Sequence, residues 1–290
     1  MRGAMGQTPS RIVRSALGLA PAGPHYFFFR HVLLVRITHW INAGCLLFLL
    51  MSGLQIFNAH PALYWGKSSN FDHPLLALMA QDSDHGLIGV TVLGPFSFDT
   101  TGVLGASDVE GMRVARGFPE WATLPGPQWL AMGRLWHFFF AWLFVINGLL
   151  FVAYALTGGH ARRDLLPTRQ DLTHLPREIA DHARLRFPKG EAAKRYNGLQ
   201  KLAYFFVIFG LGPLVVLTGL TMSPTMDSAF PTLLWIFGGR QSARTIHFLC
   251  AFSFLGFFIL HIVMVVLSGG WNNLRSMITG RYVIEGKADG

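Results

Sequence analysis

The sequence predicts an all-α integral membrane protein, a bundle of four transmembrane helices. Of its 290 residues, 51% are hydrophobic and only 13% are charged, and the mean hydropathy is +0.39. Four windows contain no Asp, Glu, Lys or Arg: residues 37–57, 135–157, 202–222 and 245–268. Each window is long enough for an α-helix, at about 1.5 Å per residue, to cross a hydrocarbon core about 30 Å thick.

The apolar windows fix the expected domain organisation. We predict helices over about residues 31–57, 131–157, 198–222 and 243–268. They belong to one domain, residues 31–283, which is preceded by an N-terminal tail (1–30) and followed by a C-terminal tail (284–290). Residues 1–24 have scattered arginines but lack the continuous apolar core of a secretory signal. The tract 25–35, "HYFFFRHVLLV", is expected either to lie in the membrane interface or to extend the first helix backwards.

A long outer segment, residues 58–130, connects the first two helices. It contains turn-rich stretches such as "GLIGVTVLGPFSFDTTGVLG", so we expect short irregular or helical pieces there. Long loops in compact proteins often carry function, and one interpretation is a docking surface for a partner. The other interpretation is a cap that only shields the helix ends.

The basic residues indicate the orientation in the membrane. Lys and Arg number ten in residues 158–201 and five in residues 1–36, whereas residues 58–130 hold three against seven acids. The positive-inside rule therefore places both termini and the 158–201 connector in the cytoplasm of a bacterial inner membrane. The segments 58–130 and 223–243 face outward. The net charge of +9 is thus a topology signal and does not indicate nucleic-acid binding.

Four histidines lie in or at the predicted helices: His39, His137, His247 and His261. An ionisable residue in the hydrocarbon region costs a few kcal/mol, so it needs a partner or a ligand. His247 and His261 are fourteen residues apart on one helix. At about 100° per residue they share a face, and about 21 Å separates them along the axis. Helix directions then pair His137 with His247 in the outer half of the membrane, and His39 with His261 in the inner half.

Two imidazoles that face each other across a bundle satisfy the axial positions of a six-coordinate b haem. The sequence therefore predicts two haems b, the outer one on His137 and His247 and the inner one on His39 and His261. The alternative is that the four histidines only hydrogen-bond neighbouring helices.

An arginine stands three residues before three of these histidines: Arg36, Arg134 and Arg244. Residues three apart lie on the same side of a helix, and arginine binds carboxylates in a bidentate manner. We therefore expect these arginines to bind haem propionates. The alternative is that they are boundary arginines whose heads extend to the membrane surface.

Other cofactor chemistry fits the sequence less well. No H-E-x-x-H zinc motif occurs, and the predicted helices contain no Asp or Glu of the kind expected in a proton or metal transporter. The two cysteines, Cys45 and Cys250, belong to no C-x-x-C-H motif, which excludes covalent c-type haem. We expect both cysteines to pack as apolar side chains.

At this point the chain resembles a known family, the four-helix di-haem cytochrome b subunits of bacterial respiratory complexes. These are the cytochrome b561-like membrane anchors of formate dehydrogenase, nickel-iron hydrogenase and thiosulfate-reductase-type molybdoenzymes. The resemblance runs from about residue 31 to residue 283. It rests on "RITHWINA", "GRLWHF", the histidine pair fourteen residues apart, "RYNGLQK" and "NNLRSMITGRY".

The resemblance implies the histidine pairing given above and a quinone site near the cytoplasmic haem. The family uses an Asn at the start of the third helix, which corresponds here to Asn197, with Gln200 and Lys201 beside it. The chain has Leu199 where the formate-dehydrogenase form has a glycine. A second interpretation of Asn197 is that it caps the third helix.

The predicted function is electron transfer between the quinone pool, ubiquinone or menaquinone, and a periplasmic partner such as a molybdoenzyme or hydrogenase. The chain would be the cytochrome b subunit of such a complex, embedded in the lipid bilayer and with no catalytic residue assigned beyond possible quinol oxidation. One alternative is a stand-alone quinone-linked cytochrome b561 oxidoreductase. The other is a haem-free membrane anchor or transporter.

Overall fold

The computed structural model describes residues 25–84, 86–188 and 190–285. Within them lie four helices that are long and apolar enough to cross a membrane, as the sequence predicts. They are α1 (Leu33–Phe57), α2 (Leu130–Thr157), α3 (Gly198–Thr221) and α4 (Arg240–Leu267). Residues 1–24 of the predicted N-terminal tail fall outside the described residues.

The outward face of α2 shows the apolar character that lipid contact requires. Exposed large side chains recur every three or four residues along this helix: Leu135, Phe139, Trp142, Ile146 and Leu149. In water such a stripe would be a large unfavourable surface, whereas hydrocarbon chains solvate it well. The helix ends at Thr157, before Gly158 and Gly159, and Gly159 has a positive φ of 68°.

The third membrane helix is not a regular α-helix throughout. Residues Phe206–Leu211 form a π-helical turn between the α-helical stretches Gly198–Phe205 and Gly212–Thr221. Pro213 follows this turn and has no N–H to donate to the preceding turn of the helix. The wider π turn therefore lies where the regular hydrogen-bond ladder is already interrupted.

The described chain is mostly helical, yet the all-α expectation is wrong in two places because eight strands are present. Their bounds are β1 (His25–Phe29), β2 (Ala62–Leu63), β3 (Leu76–Ser83), β4 (Gly86–Leu93), β5 (Phe96–Asp99), β6 (Ala106–Val109), β7 (Met112–Ala115) and β8 (Arg281–Glu285). Six of them lie in the outer segment 58–130.

The outer segment forms sheets where irregular or helical pieces were expected. One antiparallel sheet has the order β2-β3-β4-β5, and β6 pairs with β7 as a hairpin. Val, Ile and Thr dominate residues 86–93, and such β-branched side chains favour strands. Gly89 and Gly105 allow a close backbone approach, since a Cβ on Gly89 would lie 2.1 Å from the Leu104 carbonyl oxygen.

The second departure joins the two ends of the described chain. β1 pairs antiparallel with β8, from His25 opposite Glu285 to Phe29 opposite Arg281. Residues His25–Phe29 therefore form a strand and are not a backward extension of α1. The run of large aromatic residues in "HYFFF" suits a strand. Residues 286–290 of the predicted C-terminal tail lie outside the described residues.

Short helical pieces complete the fold. They comprise helices Arg169–Ala183, Pro224–Ala229, Thr232–Ile236 and Gly270–Thr279, a π turn at Ala161–Leu165, and 3₁₀ turns at Glu120–Ala122 and Gly190–Lys194. The helix in the connector begins with a reciprocal capping box, in which Thr168 and Asp171 satisfy each other's backbone N–H groups.

The chain divides into two compact units. Among the described residues, one unit lies within 25–40, 149–210 and 255–285, and the other lies within 41–148 and 211–254. Each unit has its own apolar packing. In the first, the cluster is Ala155, Ala161 and Leu165 with Phe151, Tyr204, Ile208 and Phe209. In the second, the main cluster is Phe57, Leu63 and Leu78 with Leu76, Leu104, Phe118 and Phe248.

The two cysteines behave as buried apolar side chains within the second unit. Cys45 is 1% exposed and Cys250 is 4% exposed, and both are free thiols. The packing role expected from the sequence is therefore the one that the fold gives them.

Candidate haem-binding sites

The first candidate site lies in the second unit, between α2 and α4. The ring centroids of His137 and His247 are 6.2 Å apart, with the ring planes at 62°. A metal–imidazole nitrogen bond is about 2 Å long and the ring centre lies about 1.2 Å beyond it, so trans imidazoles on one metal have centroids about 6 Å apart. The separation of His137 and His247 thus fits two axial ligands of one iron.

The second candidate site lies in the first unit, between α1 and α4. His39 and His261 also have ring centroids 6.2 Å apart, and their planes are at 56°. The structure therefore brings together the same two pairs that the sequence predicts from helix direction and depth. Neither separation allows direct hydrogen bonding between the paired rings, whereas both leave room for one metal ion between them.

Both Nδ1 atoms of the outer pair have hydrogen-bond acceptors on neighbouring helices. Nδ1 of His247 lies 2.9 Å from the Val215 carbonyl oxygen and 3.2 Å from Oγ1 of Thr218. Nδ1 of His137 lies 3.1 Å from Oγ of Ser52. The Nδ1–H tautomer satisfies these acceptors, and it leaves the Nε2 lone pair of each ring free to bind a metal.

Aromatic side chains surround the inner pair. Trp40 meets the His39 ring edge-on at 5.2 Å between centroids, and Phe257 stacks on His261 at 5.8 Å with planes 17° apart. Nδ1 of His39 is buried and has no hydrogen-bond partner among the described residues. The inner imidazoles are thus held mainly by ring packing, whereas the outer ones are held by hydrogen bonds.

The donor set itself suits a haem. Among the described residues, no three His, Cys, Asp or Glu side chains come together as a metal cluster. Two imidazoles alone do not complete the tetrahedral shell of structural zinc. A porphyrin supplies four nitrogens of its own, so two facing histidines are all that a bis-histidine haem requires from the protein.

The three predicted propionate arginines have different surroundings. Arg36 donates to the Ile278 carbonyl, Arg244 donates to the His60 carbonyl at 2.5 Å, and the guanidinium of Arg134 lies over the Phe138 ring at 5.7 Å. None of the ion pairs found in the described part of the chain involves these three arginines. Their positive charge is therefore not neutralised by a neighbouring protein carboxylate.

The residues predicted for quinone binding already have structural partners. Asn197 caps α3, because its Oδ1 accepts a hydrogen bond from the Gln200 N–H at 2.8 Å. Gln200 returns the bond, with its Oε1 at 3.2 Å from the Asn197 N–H. This capping box is the second interpretation of Asn197 given from the sequence. Nδ2 of Asn197 also lies 3.4 Å from Nε2 of His182.

Lys201, the third residue predicted for quinone binding, forms an ion pair with Asp171. Its Nζ lies 2.9 Å from Oδ2 of Asp171, and both side chains are largely buried. The backbone N–H of Thr168 is the main cause that lowers the pKa of Asp171 from its ordinary 3.8 to about 2, and Lys201 adds to it. This ion pair connects the helix Arg169–Ala183 of the connector to the start of α3.

A buried polar cluster beside these residues was not predicted. His31 is 7% exposed and stacks on Tyr196 at 6.3 Å between ring centroids. The guanidinium of Arg30 lies 5.4 Å from the centre of the Tyr196 ring. Burial, assisted by the charge of Arg30, lowers the pKa of His31 to about 3. Its imidazole is therefore neutral at physiological pH.

Ser52 and Thr218, which hold the outer imidazoles, were not predicted from the sequence. Each is followed by a glycine in the middle of a membrane helix, as "SG" at 52–53 and "TG" at 218–219. A hydroxyl residue and a glycine in an apolar helix are common at helix–helix contacts. The repetition of this dipeptide in two helices was the available sequence signal.

Four apolar helices that carry facing imidazole pairs, in a chain without a c-type attachment motif, are typical of a membrane cytochrome of the b type. The chain belongs to the prokaryotic cytochrome b561 family, whose model matches residues 109–280. This match contains α2, α3 and α4. The predicted resemblance is thus confirmed, and the protein is a b-type cytochrome of membrane electron transfer.

One curated relative is similar over most of the chain. It is YedZ1 of Azospira oryzae (strain ATCC BAA-33 / DSM 13638 / PS), whose name gives it a provisional assignment as a protein-methionine-sulfoxide reductase subunit. The two chains are 24% identical over 233 residues, which cover 80% of this chain and 88% of the relative. No solved structure matches the chain.

Proposed function

We propose that this cytochrome carries electrons across a bacterial inner membrane through two bis-histidine haems b. The electrons pass between a quinone at the cytoplasmic side and a redox enzyme at the periplasmic side. The observation that carries this proposal is the equal centroid separation, 6.2 Å, of two imidazole pairs. In the proposed topology, both termini and the connector 158–201 lie in the cytoplasm.

Each pair has a distinct task in this proposal. Haem iron supplies one-electron transfer between its ferric and ferrous states. His137 and His247 bind the outer haem, and His39 and His261 bind the inner one. Apolar side chains of the helices exclude water from the imidazoles, which lowers the local dielectric and stabilises the less charged redox state. The free charges of Arg36, Arg134 and Arg244 are available to haem propionates.

We place the quinone site at the start of α3, beside Asn197, Gln200 and Lys201. Quinol oxidation releases two electrons and two protons, so this site requires groups that hold the headgroup and a route for protons to the cytoplasm. The second amide hydrogen of Asn197 and the polar cluster of His31 and Tyr196 support this location. The capping box fixes the position of the Asn197 side chain.

The periplasmic partner would dock on the outer segment 58–130. Its exposed acids are Asp72, Asp82, Asp84, Asp99, Asp108 and Glu110. Of its three basic residues, Lys67 is exposed, Arg116 is 4% exposed and Arg113 is paired with Asp108. The surface is therefore acidic, and it suits a partner with a basic docking face.

The name of the relative supports a methionine-sulfoxide reductase as the partner. Reduction of one methionine sulfoxide consumes two electrons and two protons and yields methionine and water. Oxidation of one quinol to quinone supplies the same two electrons, so the two half-reactions balance. We propose this class of partner ahead of a hydrogenase.

Optical spectra and haem quantification of the purified protein test the two-haem proposal. We expect two haems b per chain with low-spin bis-imidazole spectra. The His137→Leu variant is expected to lose the outer haem alone, and His261→Leu the inner haem alone. His174→Leu is the matched control, because His174 is exposed on the connector helix and should leave both haems in place. A colourless wild type would contradict haem binding. The pairing would be contradicted if each of the two variants lost both haems, or if each of them kept both.

The Asn197→Asp variant tests the quinone site without removing the helix cap. Asp also accepts the hydrogen bond at an N-cap position but has no amide hydrogen to donate. We expect slower reduction of the haems by a soluble quinol and unchanged reduction by dithionite. Equal quinol kinetics in the variant and the wild type would restrict Asn197 to its capping role.

Ionic strength tests the docking proposal. With a reductase partner and methionine sulfoxide as the terminal acceptor, haem reoxidation should slow as salt rises, because salt screens the charge attraction. The Asp82→Asn/Asp84→Asn double variant should show lower rates and a weaker salt dependence. Salt-independent rates in both proteins would exclude docking on this acidic surface.

A further inference from the structure

Two copies of one small structural element contact the outer imidazoles. On α1, the element is the Leu49 carbonyl with Ser52 and Gly53. On α3, it is the Val215 carbonyl with Thr218 and Gly219. In both helices the carbonyl, the hydroxyl and the glycine stand at positions i, i+3 and i+4, and these positions face the same side of a helix.

Each copy accepts a hydrogen bond from one imidazole. His137 interacts with the Leu49 carbonyl and with Oγ of Ser52, the latter at 3.1 Å. His247 interacts with the Val215 carbonyl at 2.9 Å and with Oγ1 of Thr218 at 3.2 Å. The Nδ1–H of His247 is therefore shared between a carbonyl and a hydroxyl oxygen, and Nδ1 of His137 lies at hydrogen-bond distance from the equivalent hydroxyl.

The direction of these bonds follows from the hydroxyl groups. Oγ of Ser52 donates to the Phe48 carbonyl at 2.6 Å, and Oγ1 of Thr218 donates to the Leu214 carbonyl at 2.8 Å. A hydroxyl has one hydrogen, so each of these oxygens accepts from the imidazole. Both rings are thus fixed in the Nδ1–H tautomer, with Nε2 left as the metal-binding atom.

The glycines let the rings lie directly against the helix backbone. A Cβ at Gly53 would be 3.4 Å from Cε1 of His137, and a Cβ at Gly219 would be 3.2 Å from Cε1 of His247. Glycine is unfavourable inside a helix relative to alanine. Its presence next to the hydroxyl residue in both helices is explained by the space that the imidazole occupies.

From these contacts we infer that Ser52 and Thr218, with the glycines that follow them, are positioning residues that fix the tautomer and plane of both outer ligands and lower the potential of the outer haem. The inference rests on the haem binding proposed above. A hydrogen bond from Nδ1–H makes an imidazole a stronger electron donor to its metal, which favours ferric iron. The inner ligand His39 lacks such a bond among the described residues. The element therefore distinguishes the two haems.

Redox titration of the purified holoprotein, with each haem resolved spectrally, tests this inference. Thr218→Val and Ser52→Ala remove one acceptor each and leave the carbonyl in place. For the double variant we expect the ferrous-to-ferric ratio of the outer haem to rise by up to about tenfold at fixed potential, equivalent to about +59 mV for one electron. The inner haem should keep its wild-type potential. The conservative single variant Thr218→Ser keeps the hydroxyl that Thr218→Val removes, so its outer haem should have the wild-type potential.

Matched controls separate this effect from a general change in packing. Thr221→Val removes a buried hydroxyl of α3 that donates to the Leu217 carbonyl, and Ser253→Ala removes an exposed one of α4 that donates to the Leu249 carbonyl. Neither control should move the outer potential. Electron paramagnetic resonance of the oxidised double variant should also show altered low-spin g values for the outer haem alone.

Three results would overturn the inference while leaving the proposed function intact. These are a two-haem double variant with wild-type potentials, equal shifts of both haems, or the same shift in the Thr221→Val control. A wild type that binds no haem would instead refute the proposed function. The two failures are therefore distinguishable in one set of preparations.

Discussion

Replacing Gly219 by alanine tests how closely the outer ligand packs against α3. The added Cβ would lie 3.2 Å from Cε1 and 3.5 Å from Nδ1 of His247. Carbon atoms prefer separations of about 3.5–4.0 Å, so the ring must move by a few tenths of an ångström. Overpacking of this kind costs about 1–3 kcal/mol, whereas alanine gains about 0.5–1 kcal/mol over glycine in a helix. The net cost is about 0–2.5 kcal/mol, and its midpoint of about 1.3 kcal/mol corresponds to roughly tenfold weaker retention of the outer haem.

The other helical glycines provide a graded comparison. A Cβ at Gly53 would approach His137 less closely, at 3.4 Å, and a Cβ at Gly148 would meet nothing within 4 Å. We therefore expect haem loss to follow the order Gly219→Ala, Gly53→Ala, Gly148→Ala, with the last close to wild type. The measurement is the ratio of each haem to protein after transfer to apo-myoglobin, a haem acceptor. If Gly219→Ala and Gly148→Ala retain the outer haem equally, the ring does not lie where the structure places it.

Two further predictions concern charged groups. Arg244 forms no ion pair with a carboxylate of the described residues, so Arg244→Gln should stabilise the ferric form of the outer haem by about 1 kcal/mol and lower its potential. Redox titration checks this, and an unchanged potential would exclude the propionate role. The Asp171–Lys201 ion pair should stabilise the connector above about pH 4 and lose this contribution as the pH falls through the lowered pKa of Asp171, about 2. After correction for the intrinsic exchange rate at each pH, the protection factors of the connector-helix amides should therefore fall between about pH 5 and pH 2 in the wild type and much less in Asp171→Asn, with a difference of about 1 kcal/mol at pH 7.

The membrane helices and the histidine pairs could be predicted because strong one-dimensional rules apply to them. A window without charged residues indicates a membrane helix when it is long enough to cross the hydrocarbon core of the bilayer. The fourteen-residue interval between His247 and His261 places both side chains on the same face of one helix. Helix direction alone then assigns His137 and His39 to their partners. These inferences need no knowledge of side-chain packing, and the structure brings the same pairs together.

The outer sheets were missed because their strands are short and interrupted by glycines and polar turns. The β-branched residues of "GLIGVTVL" favour a strand, but the periodicity of such a short apolar run does not distinguish a buried strand from a buried helix segment. Its pairing with Leu76–Ser83 is decided by tertiary contacts, including the close approach at Gly89 and Gly105. The β1–β8 pairing joins residues about 250 positions apart in the chain. A local sequence pattern does not show which distant strand a given strand pairs with.

The ligand-positioning residues were missed for a different reason. In sequence, Ser52 and Thr218 are ordinary helix hydroxyls that bond their own backbone, and such residues are frequent in membrane helices. Only the structure shows which imidazole lies beside each one. A chemical role of this kind depends on the rotation of two helices about their axes, to within a few tens of degrees, and apolar patterns in a membrane do not fix that rotation.

The inner pair leads to a prediction of the opposite kind, since ring packing holds it. Phe257 stacks on His261 at 5.8 Å between centroids and meets Tyr204 edge-on at 6.5 Å. Aromatic pairs of this geometry contribute about 0.5–1.5 kcal/mol beyond their buried area. Phe257→Leu should therefore leave the His261 ring less restrained, with broader paramagnetic resonance lines and about threefold to tenfold weaker retention for the inner haem only. Phe258→Leu is the matched control, because Phe258 is 48% exposed on the next position of α4. Equal effects of the two substitutions, or a change in the outer haem, would show that stacking does not restrain the inner ligand.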